Sequence, residues 1–144
     1  MAVWTEGNRI AVSGEITLDD SYRIVGAMHA ITHNRGYRDV EIDFSSCRRA
    51  FSPQMMIVCS KSLYYNESGI DIEITLPLED NIKRLFINTN WAHLMSPKQY
   101  EMSRYRGFTH APVIRFTDGQ EQTRAVDRIL DILLAAISHF RRDE

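Results

Sequence analysis

The sequence predicts an α/β fold: a mixed β-sheet with helices packed on it, and a long amphipathic helix at the C-terminus. Residues 40–44 and 70–75 carry apolar side chains at every second position, as strands with one buried face do. Elsewhere apolar residues recur at the helical spacings of three and four. Turn and capping residues separate these segments, so strands and helices alternate along the chain.

The composition is that of one soluble globular domain. The chain has 144 residues, of which 44% are hydrophobic and 25% are charged. Its formal net charge of −2 gives no electrostatic reason to expect a nucleic-acid partner. Cys47 and Cys59 form no CxxC pair, which favours buried thiols in a reducing compartment. Because no segment resembles a signal peptide or a membrane span, we expect a cytoplasmic protein without a membrane partner.

The first elements are predicted to be a hairpin and a helix. The hairpin covers residues 2–16, with Gly7-Asn8 as a favourable two-residue turn. Thr17, followed three positions later by Asp20, is typical of a capping box at a helix start. The helix is predicted to end near Gly36, because glycine adopts the left-handed cap conformation without steric cost.

The next unit is a strand, residues 40–44, followed by a helix. We expect the polar pair Ser45-Ser46 to end the strand, so that residues 47–50 cross to a new element. Ser52 is predicted to cap the helix, because its hydroxyl can accept from free N–H groups. Pro53 suits the first helical position, where no backbone donor is needed.

A third unit pairs the strand at 70–75 with a short helix at residues 79–87. Asn90 is predicted to end this helix, since asparagine tolerates the left-handed cap better than any residue except glycine. Residues 96–112 are comparatively basic and loop-like, and residues 113–116 are predicted to form one further short strand.

Residues 118–144 are predicted to form the longest helix. Its apolar residues succeed each other at spacings of four and three, which produces a stripe suited to a dimer interface. The stripe consists of Val126, Ile129, Leu130, Leu133, Ile137 and Phe140. The alternative is that this helix packs on its own domain. Because no stop signal precedes the last residue, we expect the sequence to belong to a longer protein.

Three segments resemble the STAS domain, the fold of anti-sigma-factor antagonists. Residues 13–18 are similar to the glycine-acid-leucine segment that leads into the first helix of that family. Residues 43–46 resemble its Asp-Leu-Ser-Gly strand end, and residues 85–91 resemble its leucine-rich helix ending in Thr-Gly-Leu. The resemblance spans residues 9–95. It implies a STAS-like domain at residues 1–117 that regulates a protein partner and catalyses no reaction.

The sequence departs from this family at its phosphorylation site. The antagonists carry Asp-Ser-Ser-Gly there, and a partner kinase phosphorylates the second serine. The corresponding residues here are Phe51, Ser52, Pro53 and Gln54, so proline replaces the phosphoacceptor. The resemblance therefore does not imply a phosphorylation switch of the usual type. Ser52 is interpreted as a helix cap, with substitute phosphorylation as the alternative.

A second resemblance covers the whole chain. The run at residues 85–94, the Arg106-Gly107 loop and the last four residues resemble the N-terminal region of bacterial proteins that join a STAS-like module to a histidine-kinase-like (GHKL) ATPase. This resemblance implies a fused or separate ATPase partner and a homodimer. In it, residues 118–144 are the connector or the dimerisation helix. The asparagine motif of the ATPase is absent from the sequence, so no cofactor is predicted.

The predicted partner-binding residues lie in two segments. One leads from residue 45 into the first turn of the second helix, and the other is the turn that ends the third helix. They are Ser45, Ser46, Arg48, Arg49, Phe51, Ser52, Gln54, Asn88, Asn90 and Trp91. No G-x-S-x-G, P-loop or GxGxxG motif is present, which favours a non-enzymatic protein.

Two alternatives concern ligands. The first is a nucleotide or small-molecule sensor that binds at the helix N-terminus, near Ser52 and Arg48. The second is a metal site, since His29 and His33 are four residues apart. Because no further ligands accompany the two histidines, no metal site is predicted.

Overall fold

The computed structural model of the chain describes residues 2–103, 118–124, 126–127 and 130–131. The strands are β1 (Val3–Glu6), β2 (Arg9–Glu15), β3 (Asp39–Arg49) and β4 (Asp71–Thr75). The helices are α1 (Leu18–His29), continued by a π-helical segment (Ala30–Asn34), then α2 (Ser52–Glu67), α3 (Asp80–Asn88) and α4 (Trp91–Met95).

The four strands form one mixed sheet in the order β1-β2-β3-β4. β1 and β2 are antiparallel, whereas β2, β3 and β4 run parallel to one another. Parallel neighbours require a crossover connection, and helices α1 and α2 supply these two crossovers. The predicted α/β class with a mixed sheet and packed helices is therefore confirmed.

The core lies on one face of the sheet. In β4 the residues alternate between exposed and buried, and the buried Ile72 and Ile74 stand beside Val40 and Ile42 of β3. Aromatic rings extend this core through edge-to-face contacts. The ring centroids are 5.0 Å apart in the pair Phe44–Phe86 and 5.4 Å apart in the pair Phe86–Trp91. The opposite face of the sheet carries mainly polar side chains.

The beginning of the domain agrees with the sequence prediction. Gly7 has a φ of 60° in the turn between β1 and β2. The hydroxyl of Thr17 accepts from the Asp20 N–H at 3.2 Å, and the Asp20 carboxylate accepts from the Thr17 N–H at 2.9 Å. The capping box is thus confirmed. Gly36 has a φ of 75°, as predicted for a left-handed cap.

The prediction that Ser45-Ser46 ends the strand that begins at residue 40 is wrong. β3 continues to Arg49, and a bulge explains why the alternation breaks there. Ala11 pairs with Asp43 but Ser13 pairs with Ser46, so two residues of β3 stand opposite one of β2. Beyond the bulge Cys47 lies in the core, and a second register shift follows, since Gly14 pairs with Cys47 but Glu15 pairs with Arg49.

The prediction that Ser52 caps α2 is also wrong. Ser52 is the first helical residue, Phe51 occupies the cap position, and no side chain there accepts a hydrogen bond. The helix starts one residue earlier than predicted, because the Phe51 carbonyl already accepts from the Met55 N–H at 3.0 Å. Pro53 lies in the first turn, where its missing N–H costs nothing.

Asn90 adopts the predicted left-handed conformation, with a φ of 67°. A short helix that the sequence did not reveal, α4, starts directly after it. This helix turns the chain inward, so Asn90 is 0% exposed and Trp91 is 1% exposed. The carbonyl oxygen of the Asn90 side chain accepts from the Ser103 N–H at 2.6 Å.

Several C-terminal predictions lie outside the described residues. These are the strand at 113–116, most of the loop at 96–112 and the stripe residues Ile129, Leu133, Ile137 and Phe140. The described residues from 119 to 131 are helical, and the Asp118 carboxylate accepts from the Glu121 N–H at 2.8 Å. Asp118 is thus the cap of this helix. The stripe residues Val126 and Leu130 are about half exposed.

Among the described residues, no helix has the length and apolar character needed to cross a membrane.

Replacing Asn90 tests how much its left-handed conformation and its hydrogen bond to Ser103 stabilise the fold. We expect Asn90→Ala to lower the free energy of unfolding by about 2–4 kcal/mol. The variant loses the buried acceptor, and alanine, unlike asparagine, has no polar side chain to stabilise a positive φ. Asn90→Gly loses the acceptor but not the backbone freedom, so it is expected to be about 1 kcal/mol less damaging. Urea unfolding measures both. Equal losses for the two variants would contradict a contribution from backbone conformation.

Candidate functional site

The parallel strands β2, β3 and β4 end on the same side of the sheet, which we call the carboxyl edge. The strands end at Glu15, Arg49 and Thr75, and helices α1, α2 and α3 begin within a few residues. Ligands and partners of parallel α/β sheets commonly bind beyond the carboxyl ends of the strands. The carboxyl edge is therefore the first place to look for a site.

A cleft of about 650 Å³ lies at this edge. This volume is within the range of small-molecule sites, about 300–1,000 Å³. The residues that line it come from the ends of β2 and β3 and from the loop after β4. They are Ser13, Gly14, Ser45, Ser46, Cys47, Arg48, Leu78 and Glu79. We refer to it as the edge cleft.

Backbone irregularities in both strands shape the edge cleft. The β3 bulge sets Phe44 and Ser45 together opposite Val12 of β2, and Gly14 of β2 has a φ of 73°. A Cβ added at Gly14 would meet no atom within 4 Å, so conformation and not space favours glycine there. The Leu78 N–H donates to the Ser45 carbonyl at 3.2 Å, which holds the loop after β4 against the bulge.

Asp43 supports the bulge from the polar face of the sheet. Its carboxylate accepts from the Ser45 N–H at 2.9 Å and pairs with the Arg9 guanidinium. Burial alone would raise the pKa of Asp43, but the hydrogen bonds from Ser45 and Arg9 and the charge of Arg9 outweigh it and hold this pKa below its ordinary value. Asp43 is therefore a charged brace beneath Ser45.

Cys47 lines the edge cleft without being a reactive thiol. Its Sγ lies 3.6 Å from the Arg49 carbonyl oxygen, and burial raises the pKa of the thiol to about 11. Cys59, in α2, is also buried, and its pKa is raised too. Both thiols are free and buried, as the sequence predicted, and both are protonated at neutral pH.

Large apolar side chains stand exposed after each of the three parallel strands. Leu18 follows β2 and is 48% exposed, Phe51 follows β3 and is 45% exposed, and Leu78 follows β4 and is 76% exposed. Single exposed apolar residues are ordinary, but here one follows each of three strands at the same edge of the sheet. Such a surface suits contact with another macromolecule.

The charges at the carboxyl edge are distributed unevenly. Carboxylates already occupy the first turns of α1, with Asp19 and Asp20, and of α3, with Asp80. The first turn of α2 contains no acidic residue, and the exposed Arg48 and Arg49 precede it. The start of α2 is thus the electropositive part of the edge, where the helix dipole favours a negative group.

The structure places the predicted partner-binding residues in different environments. Ser45, Ser46 and Arg48 line the edge cleft. Arg49, Phe51 and Ser52 are exposed between β3 and α2, and Gln54 follows with a buried Oε1 that has no hydrogen-bond partner. Asn88 is half-buried at the end of α3.

Asn90 and Trp91 occupy interior positions, where a partner cannot contact their side chains. This corrects the prediction of a binding turn at that joint. The physical reason is α4, which folds the turn under the domain. Sequence reasoning also missed Leu18, Leu78 and Glu79, although an isolated apolar residue directly after a predicted strand could have indicated the first two.

The two histidines considered as metal ligands lie at the end of α1 and in the π-helical segment. His29 and His33 are exposed and stacked, with ring centroids 4.3 Å apart and planes inclined by 16°. Within the part of the chain that the structure describes, no three His, Cys, Asp or Glu residues cluster in a way that could hold a metal ion.

Comparisons with known proteins add no assignment. No protein-family model matches the chain, and no curated protein matches it significantly. The geometry of the carboxyl edge is therefore the basis for a functional assignment.

Removing the Arg9 guanidinium tests the Asp43 brace. We expect Arg9→Met to raise the pKa of Asp43, because it takes away one donor and one positive charge. Since the folded pKa of Asp43 is below the unfolded value of about 3.9, its stabilisation is fully present well above pH 4 and is lost as pH falls through the folded pKa. Arg9→Met is therefore expected to be less stable than wild type at pH 7, with a smaller difference below pH 4.

NMR titration of the Asp43 carboxyl carbon measures the pKa, and urea unfolding at pH 7 and below pH 4 measures the stability. Arg38→Met, which removes an exposed arginine outside the brace, is the control. An Asp43 pKa that does not move in Arg9→Met would contradict the brace.

Proposed function

We propose that the chain is a non-enzymatic regulatory module of the STAS-like type, which binds a protein partner through its carboxyl edge. The partner class that the sequence resemblance suggests is a histidine-kinase-like ATPase, fused or separate. The observation that carries the proposal is the set of exposed apolar side chains at Leu18, Phe51 and Leu78, one after each parallel strand.

Chemistry at the edge favours recognition over catalysis. The cleft thiol of Cys47 is protonated at neutral pH, so it cannot act as a thiolate nucleophile. Ser13, Ser45 and Ser46 offer hydroxyl groups, but among the described residues no histidine lines the edge cleft to act as the general base that would activate them. Hydrogen-bonding groups beside exposed apolar side chains are typical of protein-binding surfaces.

The charge distribution specifies the partner further. Arg48 and Arg49 are exposed beside Phe51 at the one helix start of the edge that lacks an acidic residue. A partner surface that places a carboxylate there and an apolar side chain against Leu78 would satisfy both features. We therefore propose a partner with an apolar patch bordered by acidic residues.

Binding to histidine-kinase-like ATPases of the source organism tests this function. We expect a two-hybrid screen of these proteins to yield a partner and calorimetry to give a Kd of micromolar or below. Leu78→Asp is expected to weaken that complex at least about tenfold, because it places a charge in an apolar contact.

The matched control is Tyr64→Asp, which changes an exposed aromatic residue near the opposite end of α2. It is expected to leave the affinity within about twofold of wild type. Equal losses in both variants, or full affinity in Leu78→Asp, would contradict binding through the carboxyl edge.

A second candidate function, a sensor of nucleotides or other small anions, is favoured by the volume of the edge cleft and by Arg48 in its wall. It predicts that millimolar nucleotide raises the melting temperature, since a ligand that binds only the folded state stabilises it. The Arg48→Ala variant would lose this rise. Thermal unfolding with ATP, ADP, GTP and inorganic phosphate measures it, and unchanged melting with all four would count against the sensor.

A further inference from the structure

Side chains cover one edge of the sheet that the described strands form. Among these strands, β4 pairs with β3 on one side only and is therefore an edge strand. An uncovered edge presents free N–H and C=O groups and can recruit a strand from another chain. The contacts along β4 show how its outward-facing donors are satisfied.

The N–H groups of β4 alternate between two directions. The Asp71 N–H donates to the Arg38 carbonyl at 3.0 Å, toward the side where β3 lies. The N–H groups of Ile72 and Ile74 point the other way, as successive residues of a strand must. The Ile72 N–H donates to Asn66 Oδ1 at 3.3 Å, and the Ile74 N–H donates to Gln99 Oε1 at 2.8 Å.

Both amide side chains belong to segments that are themselves held in place. Asn66 lies in the last turn of α2, and its Nδ2 donates to the Met95 carbonyl at 2.9 Å, at the end of α4. Lys98 Nζ donates to Asp71 Oδ1 at 2.7 Å, one residue before Gln99. The segment that follows α4 therefore runs beside β4 and is tied to it at two points.

We infer that Asn66 and Gln99 close the β4 edge against a second copy of this chain. A strand added at β4 would need the Ile72 and Ile74 N–H groups as donors, and both are already bonded. The buried side chains of these two isoleucines face the core, whereas Asp71, Glu73 and Thr75 are exposed. An unsealed β4 would thus combine a regular hydrogen-bonding edge with a stable half-buried strand, which suits pairing with its own copy. This inference is independent of the proposed partner at the carboxyl edge.

The double variant Asn66→Ala, Gln99→Leu removes both acceptors. We expect hydrogen exchange at the Ile72 and Ile74 amides to rise at least about tenfold in dilute solution, while the Asp71 and Glu73 amides keep their wild-type rates. As concentration increases, the mass from light scattering is expected to exceed that of wild type. Protection of the Ile72 and Ile74 amides should then return, because the added strand supplies new acceptors.

Two further variants separate sealing from general stability. Gln99→Glu retains an acceptor oxygen and is expected to behave as wild type in both measurements. Gln99→Leu alone changes an exposed residue, so it serves if the double variant does not fold, and it should accelerate exchange at Ile74 only. Unchanged exchange at both isoleucines, or faster exchange with a mass equal to wild type at every concentration, would overturn the inference.

Discussion

Parallel pairing of β2, β3 and β4 is the constraint on which the rest of the structure depends. Parallel neighbours cannot be joined by a tight turn, so the chain must return along the sheet through a helix each time. All three strands then end on one side, and all three following helices begin there. The edge cleft, the exposed apolar joints and the electropositive start of α2 are separate consequences of this one arrangement.

Within that arrangement, the bulge between β2 and β3 decides the shape of the site. Without the extra residue in β3, the strand would continue in one regular pleat past Ser45 and Ser46. The bulge sets Phe44 and Ser45 opposite a single residue of β2 and returns Cys47 to the core. Asp43 stabilises this irregularity by accepting the Ser45 N–H, so a charged residue on the polar face supports a recognition surface at the end of the sheet.

Much of the fold could be predicted because local physics determined it. The capping box at Thr17 and Asp20 and the left-handed Asn90 depend on a few neighbouring residues, and these predictions were confirmed. The extent of β3 could not be predicted, because a bulge breaks the alternation without ending the hydrogen-bond ladder. The burial of Trp91 was also hidden, since a helix as short as α4 leaves too few residues for a period to be recognised. The position of Leu78 after a predicted strand could have indicated it as a candidate, but its degree of exposure depends on how distant segments pack.

The π-helical segment Ala30–Asn34 has a consequence for how the chain tolerates changes in length. The Arg35 N–H donates to the Ala30 carbonyl at 3.0 Å, so this turn contains one residue more than an α-helical turn. Deleting one residue there would convert the segment to a regular α-helix and leave the distance to β3 nearly unchanged. The end of α1 is therefore a place where the gene can lose a codon while the sheet keeps its register. Related chains that differ by one residue between their first helix and second parallel strand would be expected to share this sheet.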